Sequence, residues 1–168
     1  MQELLIATRV FVATTSSMSS HLPLFQIKSF NLAIIDEASQ ILEPHLMGIL
    51  SAHTKGVPAI QKIVLIGDHK QLPAVVQQSA ERSLVKEPLL RNIHLTDCRL
   101  SLFERLLKQY SNDPSVVYML KRQGRMHQEI AQFPSLQFYN NQLDIVPLPH
   151  QQNPLPNQVT TTNPIDDL

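Results

Sequence analysis

The chain has 168 residues, 43% of them hydrophobic and 17% charged, with 14 basic residues against 14 acidic ones and a single cysteine. That balance excludes disorder throughout, an internal disulfide scaffold and a global basic footprint, so any surface for nucleic acid has to be local. No apolar run approaches the ~20 residues that span a bilayer, and Met1-Gln2-Glu3 is not the basic opening of a signal peptide. A cytoplasmic protein with no membrane contact is therefore expected.

Gln2–Ala7 reads as the end of a helix, and Arg9–Ala13, RVFVA, is β-branched and aromatic, which predicts a buried strand. It runs into Thr14-Thr15-Ser16-Ser17. Hydroxyls straight after a strand can donate to phosphates or sugars, and they cap a following helix at least as often. Leu32–Gln40, LAIIDEASQ, carries an unalternated apolar run into two adjacent carboxylates. Such a run suits a strand buried on both faces, as parallel strands are, ending where Asp36 and Glu37 emerge. Ligand chemistry in open α/β sheets gathers at that carboxyl edge, although a bare Asp-Glu pair more often solvates a loop or begins a helix.

A second stretch of the same shape, KIVLIGDHKQLPAVV, changes that balance. Between the two, Leu42, Leu46, Ile49 and Leu50 have helical spacing, and Pro44 fits only the first turn of that helix. Lys55–Pro58 is then a loop and Ile63–Ile66 a buried strand ending at Gly67-Asp68. Strand, helix, strand at these lengths predicts a right-handed crossover and a parallel sheet. Ser79–Pro88 should be surface, Ser101–Tyr110 an amphipathic helix and Val116–Leu120 a further strand. Lys121–Arg125 packs three of the 14 basic residues into one short segment ahead of a helix at about Met126–Phe133. Beyond Leu143 the chain turns proline-rich and aperiodic, which predicts an extended or disordered tail.

Taken together, ATTSS at Ala13–Ser17, IIDEASQ at Ile34–Gln40, IGDHKQLPAVV at Ile66–Val76, SLFERLL at Ser101–Leu107 and QGRMHQEIAQFPS at Gln123–Ser135 resemble successive motifs of superfamily 1 helicases. They look most like the branch that moves 5′ to 3′ and includes the nonsense-mediated-decay helicase and its DNA-processing relatives. The resemblance covers roughly residues 9–143, and DEAS followed by GDxxQLP is its most specific pair. It implies an α/β, parallel-sheet RecA-like P-loop NTPase fold, incomplete in this chain. Residues 1–110 would be the C-terminal part of a first RecA-like domain, 111–143 the start of a second, and 144–168 a proline-rich extended tail.

ATP and Mg²⁺ are the implied cofactors and single-stranded DNA or RNA the implied partner. Asp36 matches the carboxylate that holds Mg²⁺, a hard cation that calls for an oxygen ligand. Glu37 matches the residue that orients and activates the attacking water. Gln71 resembles the sensor that contacts the γ-phosphate and that water. Gly67 would let the backbone come close, and Asp68 would join the metal shell. Arg125 resembles the arginine that reaches the γ-phosphate from the second domain, where a planar, always-charged donor meets developing negative charge. Thr14, Thr15 and Ser16 match the motif that grips the single-stranded backbone, a contact without sequence information.

Three positions depart from the family pattern: Gly124 stands where an aromatic residue is usual, and Gln128 and Ala74 where prolines are common. No GxxxxGK followed by Ser or Thr occurs, and four glycines cannot supply a phosphate-cradling loop. The expectation is an ATP-driven helicase or translocase segment, inactive alone, that works with upstream and downstream parts of the same helicase. The alternative is a truncated, non-catalytic nucleic-acid-binding or scaffold fragment. A metal-dependent nuclease built on Asp36, Glu37 and Asp68 ranks last, because nothing in it requires the QLP after Asp68. The strand ending at Gly67 should have an open edge, which invites pairing with another chain.

Overall fold

Helix α1 (Gln2–Ala7) opens the chain in the computed structural model, which describes residues 2–153. The chain divides into two units, Met1–Val117 and Tyr118–Leu168. In the first, helix α2 (Thr15–Ser20) is followed by α3 (Leu24–Ile27), strand β1 (Ala33–Ile35), a single 3-10 turn (Ala38–Gln40) and helix α4 (Glu43–Leu50). A hairpin of β2 (His53–Thr54) and β3 (Val57–Pro58) comes next, turning on Lys55 and Gly56, both at positive φ. Strand β4 (Ile63–Leu65) leads through a long loop to α5 (Ala80–Ser83), α6 (Pro88–Asn92) and α7 (Leu102–Tyr110).

β1 and β4 pair in parallel, with Ala33, Ile34 and Ile35 opposite Ile63, Val64 and Leu65. The ladder outlasts the strands: the Phe30 amide donates to Ala59 C=O at 2.7 Å at one end, and the Ala38 amide to Ile66 C=O at 2.7 Å at the other. The parallel arrangement expected from the sequence is therefore present. Burial on both faces is not. Register partners Ile34 and Val64 are 62% and 44% exposed, because the sheet has two strands and no described element covers that face. Parallel sheets ordinarily sit between two layers of helices.

The core lies under the start of the pair, where Phe25, Ile49 and Ala59 are buried and Met18, Leu22, Phe30, Ala52 and Ile60 pack around them. Phe30 meets Phe25 and Phe11 edge to face, at 5.7 and 5.4 Å between ring centres. Phe11 is the one residue of Arg9–Ala13 so engaged. The buried strand expected there does not form: among the described residues no backbone bond joins 9–13 to a neighbour, and Val10 and Val12 are 76% and 94% exposed. β-propensity without a partner strand does not make a strand.

A buried ion pair fastens α4 to α7. Arg105 donates through Nε and Nη2 to the two Glu43 carboxylate oxygens at 2.7 and 2.6 Å, and through Nη1 to Ile93 C=O at 2.8 Å. α7 begins with a capping box, in which the Ser101 hydroxyl accepts the Glu104 amide and the Glu104 carboxylate accepts the Ser101 amide. Just before it, the Arg99 guanidinium grips Asp97 through two nitrogens. Hydrogen bonds from Arg99, with a smaller one from Ser83, hold the Asp97 carboxyl down at about 2, against the opposing effect of burial. Ser79–Pro88, expected at the surface, is mostly exposed, yet it buries Ser83 and Val85.

The strand expected at Val116–Leu120 is also absent. The Asp113 carboxylate accepts the Ser115 amide and hydroxyl, and the Val116 and Val117 amides return to Asp113 C=O, so this segment turns instead of extending. Those two bonds from Ser115 lower the Asp113 carboxyl below its ordinary value.

In the second unit, β5 (Arg122–Gln123) leads to α8 (Gln128–Phe138), which runs four residues past Pro134 instead of ending near Phe133. The carbonyl that Pro134 cannot serve belongs to Ile130, on an exposed turn open to water. Asn140 and Asn141, both left-handed, reverse the chain. β6 (Asp144–Ile145) then pairs in parallel with β5, and α9 (Pro149–Gln152) follows. Residues 144–153 are thus ordered structure in place of the extended tail read from the prolines. The remainder of that segment, 154–168, lies outside the described residues.

Candidate functional site

Asp36 and Glu37 leave β1 at its carboxyl end, and Gly67 and Asp68 leave β4 at the same end, since the two strands run in parallel. Two bonds fasten these turns together. The Ala38 amide donates to Ile66 C=O, and the Asp68 amide donates to the buried Ser39 hydroxyl at 3.1 Å. To reach the first of these the chain passes through Glu37 at φ 51°, ψ 34°, a left-handed conformation rare for a residue with a side chain. Backbone of that kind costs on the order of 1–3 kcal/mol and recurs at ligand sites.

Gly67 is explained by the same crowding. A Cβ there would lie 2.8 Å from the Ser39 nitrogen and 3.1 Å from its hydroxyl oxygen. The close approach that requires glycine is thus made to the Ser39 turn.

The side chains divide the work. Asp36 uses one carboxylate oxygen to accept the Glu37 amide at 3.0 Å and is exposed. Glu37, also exposed, accepts from Gln40 Nε2 at 3.2 Å. Asp68 accepts the Lys70 amide on one oxygen and Gln71 Nε2 on the other, both at 2.9 Å. Gln71 is exposed, with its amide nitrogen held by Asp68. Among the described residues no cluster of three or more His, Cys, Asp or Glu side chains forms a ready-made metal cage. Mg²⁺ bound to nucleotide phosphates needs none, because it keeps its waters and takes one or two carboxylates. Asp36 has an oxygen left for that role.

Thr14 caps α2, its hydroxyl oxygen accepting the Ser17 amide at 3.1 Å. Thr14 and Ser16 are exposed and Thr15 is half-buried. Capping, the reading the residues alone favour, is what this segment does here, and among the described residues no hydrogen bond is donated by the Thr14, Thr15 or Ser16 hydroxyl. In the second unit Arg125 sits in the turn between β5 and α8. Its amide donates to Gln123 Oε1 at 2.9 Å, and its exposed guanidinium has no partner among the described residues.

Ser39 and the Glu43–Arg105 pair hold the site's turns and were not singled out in the sequence. Ser39 sits inside the DEAS motif, which was a usable signal. Glu43 and Arg105 are far apart in the chain, and nothing local pairs them.

The fold and the site together define an α/β segment of the RecA-like P-loop class. Two family models, each described as an AAA domain, match the chain, one over residues 1–79 and the other over 98–165. The uncharacterized ATP-dependent helicase MJ0104 of Methanocaldococcus jannaschii is 33% identical over 145 residues, covering 85% of this chain and 18% of that protein. The DNA polymerase alpha-associated DNA helicase A of Saccharomyces cerevisiae is 33% identical over 150 residues, covering 84% of the chain and 20% of that protein. The human DNA replication ATP-dependent helicase/nuclease DNA2 is 31% identical over 142 residues, with coverages of 84% and 11%.

The chain belongs to the superfamily 1 helicases. It spans about a fifth or less of the length of these relatives. Among the described residues no helix is long and apolar enough to cross a membrane.

Proposed function

We propose that this chain is the hydrolysis-sensing part of an ATP-driven helicase or translocase that moves on single-stranded nucleic acid, working within a longer polypeptide that supplies the phosphate loop. The observation that carries the reading is the double latch of Ala38 to Ile66 and Asp68 to Ser39, which holds an acid pair and an Asp–Gln pair on one strand edge.

In this reading Asp36 is the protein ligand of Mg²⁺, directly or through water. When bound, the ion neutralises charge on the nucleotide's phosphate oxygens. Glu37 orients the attacking water and takes its proton as the water oxygen closes on the γ-phosphorus. Asp68 holds one hydrogen of Gln71 Nε2. Gln71 is left with Oε1 to accept from the water and a second amide hydrogen to give to a γ-phosphate oxygen. Arg125 donates to the γ-phosphate as the bond to the bridging oxygen breaks and ADP and phosphate separate. Thr14, Thr15 and Ser16 hold the strand by its backbone, so any sequence serves.

The test is ATP hydrolysis stimulated by single-stranded nucleic acid, measured on the polypeptide that joins this segment to a phosphate loop. Glu37→Gln should lower kcat by about 10²–10⁴-fold with nucleotide binding retained. Hydrolysis that survives the change overturns the assignment. Strand binding with no hydrolysis in the unaltered, loop-bearing protein would instead establish a non-catalytic scaffold.

A further inference from the structure

We infer that Gln151 is a positioning residue for Arg125, acting through the main chain of the arginine's turn; this rests on the assignment of Arg125 above. The turn is fastened from two sides. From within, Gln123 Oε1 accepts the Arg125 amide at 2.9 Å and the Met126 amide at 2.7 Å, while Gln123 Nε2 donates to Met126 C=O at 3.0 Å. From outside, the segment after β6 closes over it. Gln151 is fully buried, and its Nε2 donates to Gln123 C=O at 2.9 Å and Met126 C=O at 3.1 Å. His150 Nε2 lies 3.0 Å from Gly124 C=O. A carbonyl only accepts, so that nitrogen carries the proton. His127 Nε2 donates in the same way to Asn153 C=O at 2.9 Å, while its Nδ1 accepts the Glu129 amide.

The main chain on both sides of Arg125 is therefore pinned while its guanidinium has no partner among the described residues. That combination suits a cation that must reach a ligand in a fixed attitude and suits a structural ion pair poorly. Gln151 carries a further sign: its Oε1 is buried with no hydrogen-bond partner among the described residues. A buried acceptor left without a hydrogen bond lowers stability, so the contribution of Gln151 lies in the two bonds its Nε2 donates.

Gln151→Met tests this at nearly constant volume. Gln123 C=O keeps the Val146 amide and Met126 C=O keeps Gln123 Nε2, so no carbonyl is orphaned. In the loop-bearing polypeptide, Arg125→Ala should lower kcat on the order of 10³-fold. Gln151→Met should lower kcat about tenfold, with KM for ATP and Tm little changed, and should have no further effect on top of Arg125→Ala. In the 168-residue chain, hydrogen exchange at the Arg125 and Met126 amides should quicken in Gln151→Met, while the Leu143 amide, held by Ser135, should not change. An unchanged kcat in Gln151→Met beside an impaired Arg125→Ala overturns the inference, as does an equal loss in both backgrounds. An inert Arg125→Ala overturns the arginine assignment instead, and the exchange rates then decide the clamp alone. Gln151→Leu, which likewise lacks the Nε2 donors, carries the same test should the Met variant not fold.

Discussion

The strand ends at Asp36 and Asp68 are fastened to each other chiefly through the main chain, whereas the turn that carries Arg125 is fastened by side chains. In the first region the decisive atoms are the Ala38 amide, the Ile66 carbonyl and the Asp68 amide, with Ser39 the only side chain involved. In the second, two glutamines and a histidine supply the donors. A latch made of main chain tolerates many residues but demands space, and so it turns on the small residue Gly67. A latch made of side chains tolerates crowding and fails when one amide is lost. The two regions should therefore answer to different kinds of substitution.

The largest stability effect should come from behind the first region. Helix α7 packs against the Ala38–Gln40 turn, and Arg105 ties it to Glu43. Arg105→Ala leaves a buried carboxylate unpaired and Ile93 C=O without its donor, a loss of about 3–5 kcal/mol by urea unfolding. Replacing both partners, as Glu43→Met with Arg105→Met, should be close to neutral, because no charge is then stranded. If the single change proves mild, the support for the acid pair lies elsewhere.

Gly67→Ala comes next and tests the main-chain latch itself. The new methyl group would meet the Ser39 backbone at 2.8 Å. Forcing the turns apart should cost about 1–3 kcal/mol and quicken hydrogen exchange at the Ala38 and Asp68 amides. Ser39→Ala removes a hydroxyl instead and should loosen Asp68 alone. If Gly67→Ala quickens exchange at only one of the two amides, the turns do not move as one latch.

The contrast also explains what could be read from the sequence. The two apolar runs before DE and GD announced the parallel pair because each carries its own signal, an unbroken run with a polar stop. The helices near Glu43 and Ser101 were equally legible, the first through Pro44 and the second through the spacing of its apolar residues, whereas the Ser101/Glu104 cap emerged only in the structure. Arg9–Ala13 and Val116–Leu120 misled because strand propensity says nothing about whether a neighbour is there to pair. The order after Leu143 was hidden because Asp144–Ile145 is too short to show a period, and its structure depends on Lys121 and Gln123 upstream. The roles of Ser39 and Gln151 depend on contacts distant in the chain, which no local pattern records.

The open face of the pair gives a third comparison. Ile34 and Val64, opposite each other and exposed, present apolar surface beside unpaired strand edges. Ile34→Thr with Val64→Thr should change unfolding free energy by roughly 0.5 kcal/mol or less per site, but should raise the protein concentration at which light scattering detects self-association. An unaltered chain that stays monomeric at high concentration would remove this expectation.

The smallest effect concerns acid. Asp97 is held in the folded chain at about 2, against an ordinary 3.8, chiefly by the Arg99 guanidinium. A carboxyl lowered by folding stabilises the fold only while it is ionised. Its contribution is therefore complete above about pH 4 and disappears as the pH falls through that value toward 2. Asp97 anchors the approach to α7, where the Cys98 amide bonds to Ser83 C=O and the Val85 amide to Thr96 C=O. Arg99 is 37% exposed on its side chain, so solvent screens the pair and the effect on Tm should be a few degrees at most. Asp97→Asn should melt below the unaltered chain at pH 6, with the gap narrowing as the pH falls below about 4 and closing only below about pH 2. A gap of unchanged size from pH 6 down to pH 2 would mean that packing around residue 97, and not its charge, sustains this corner of the fold.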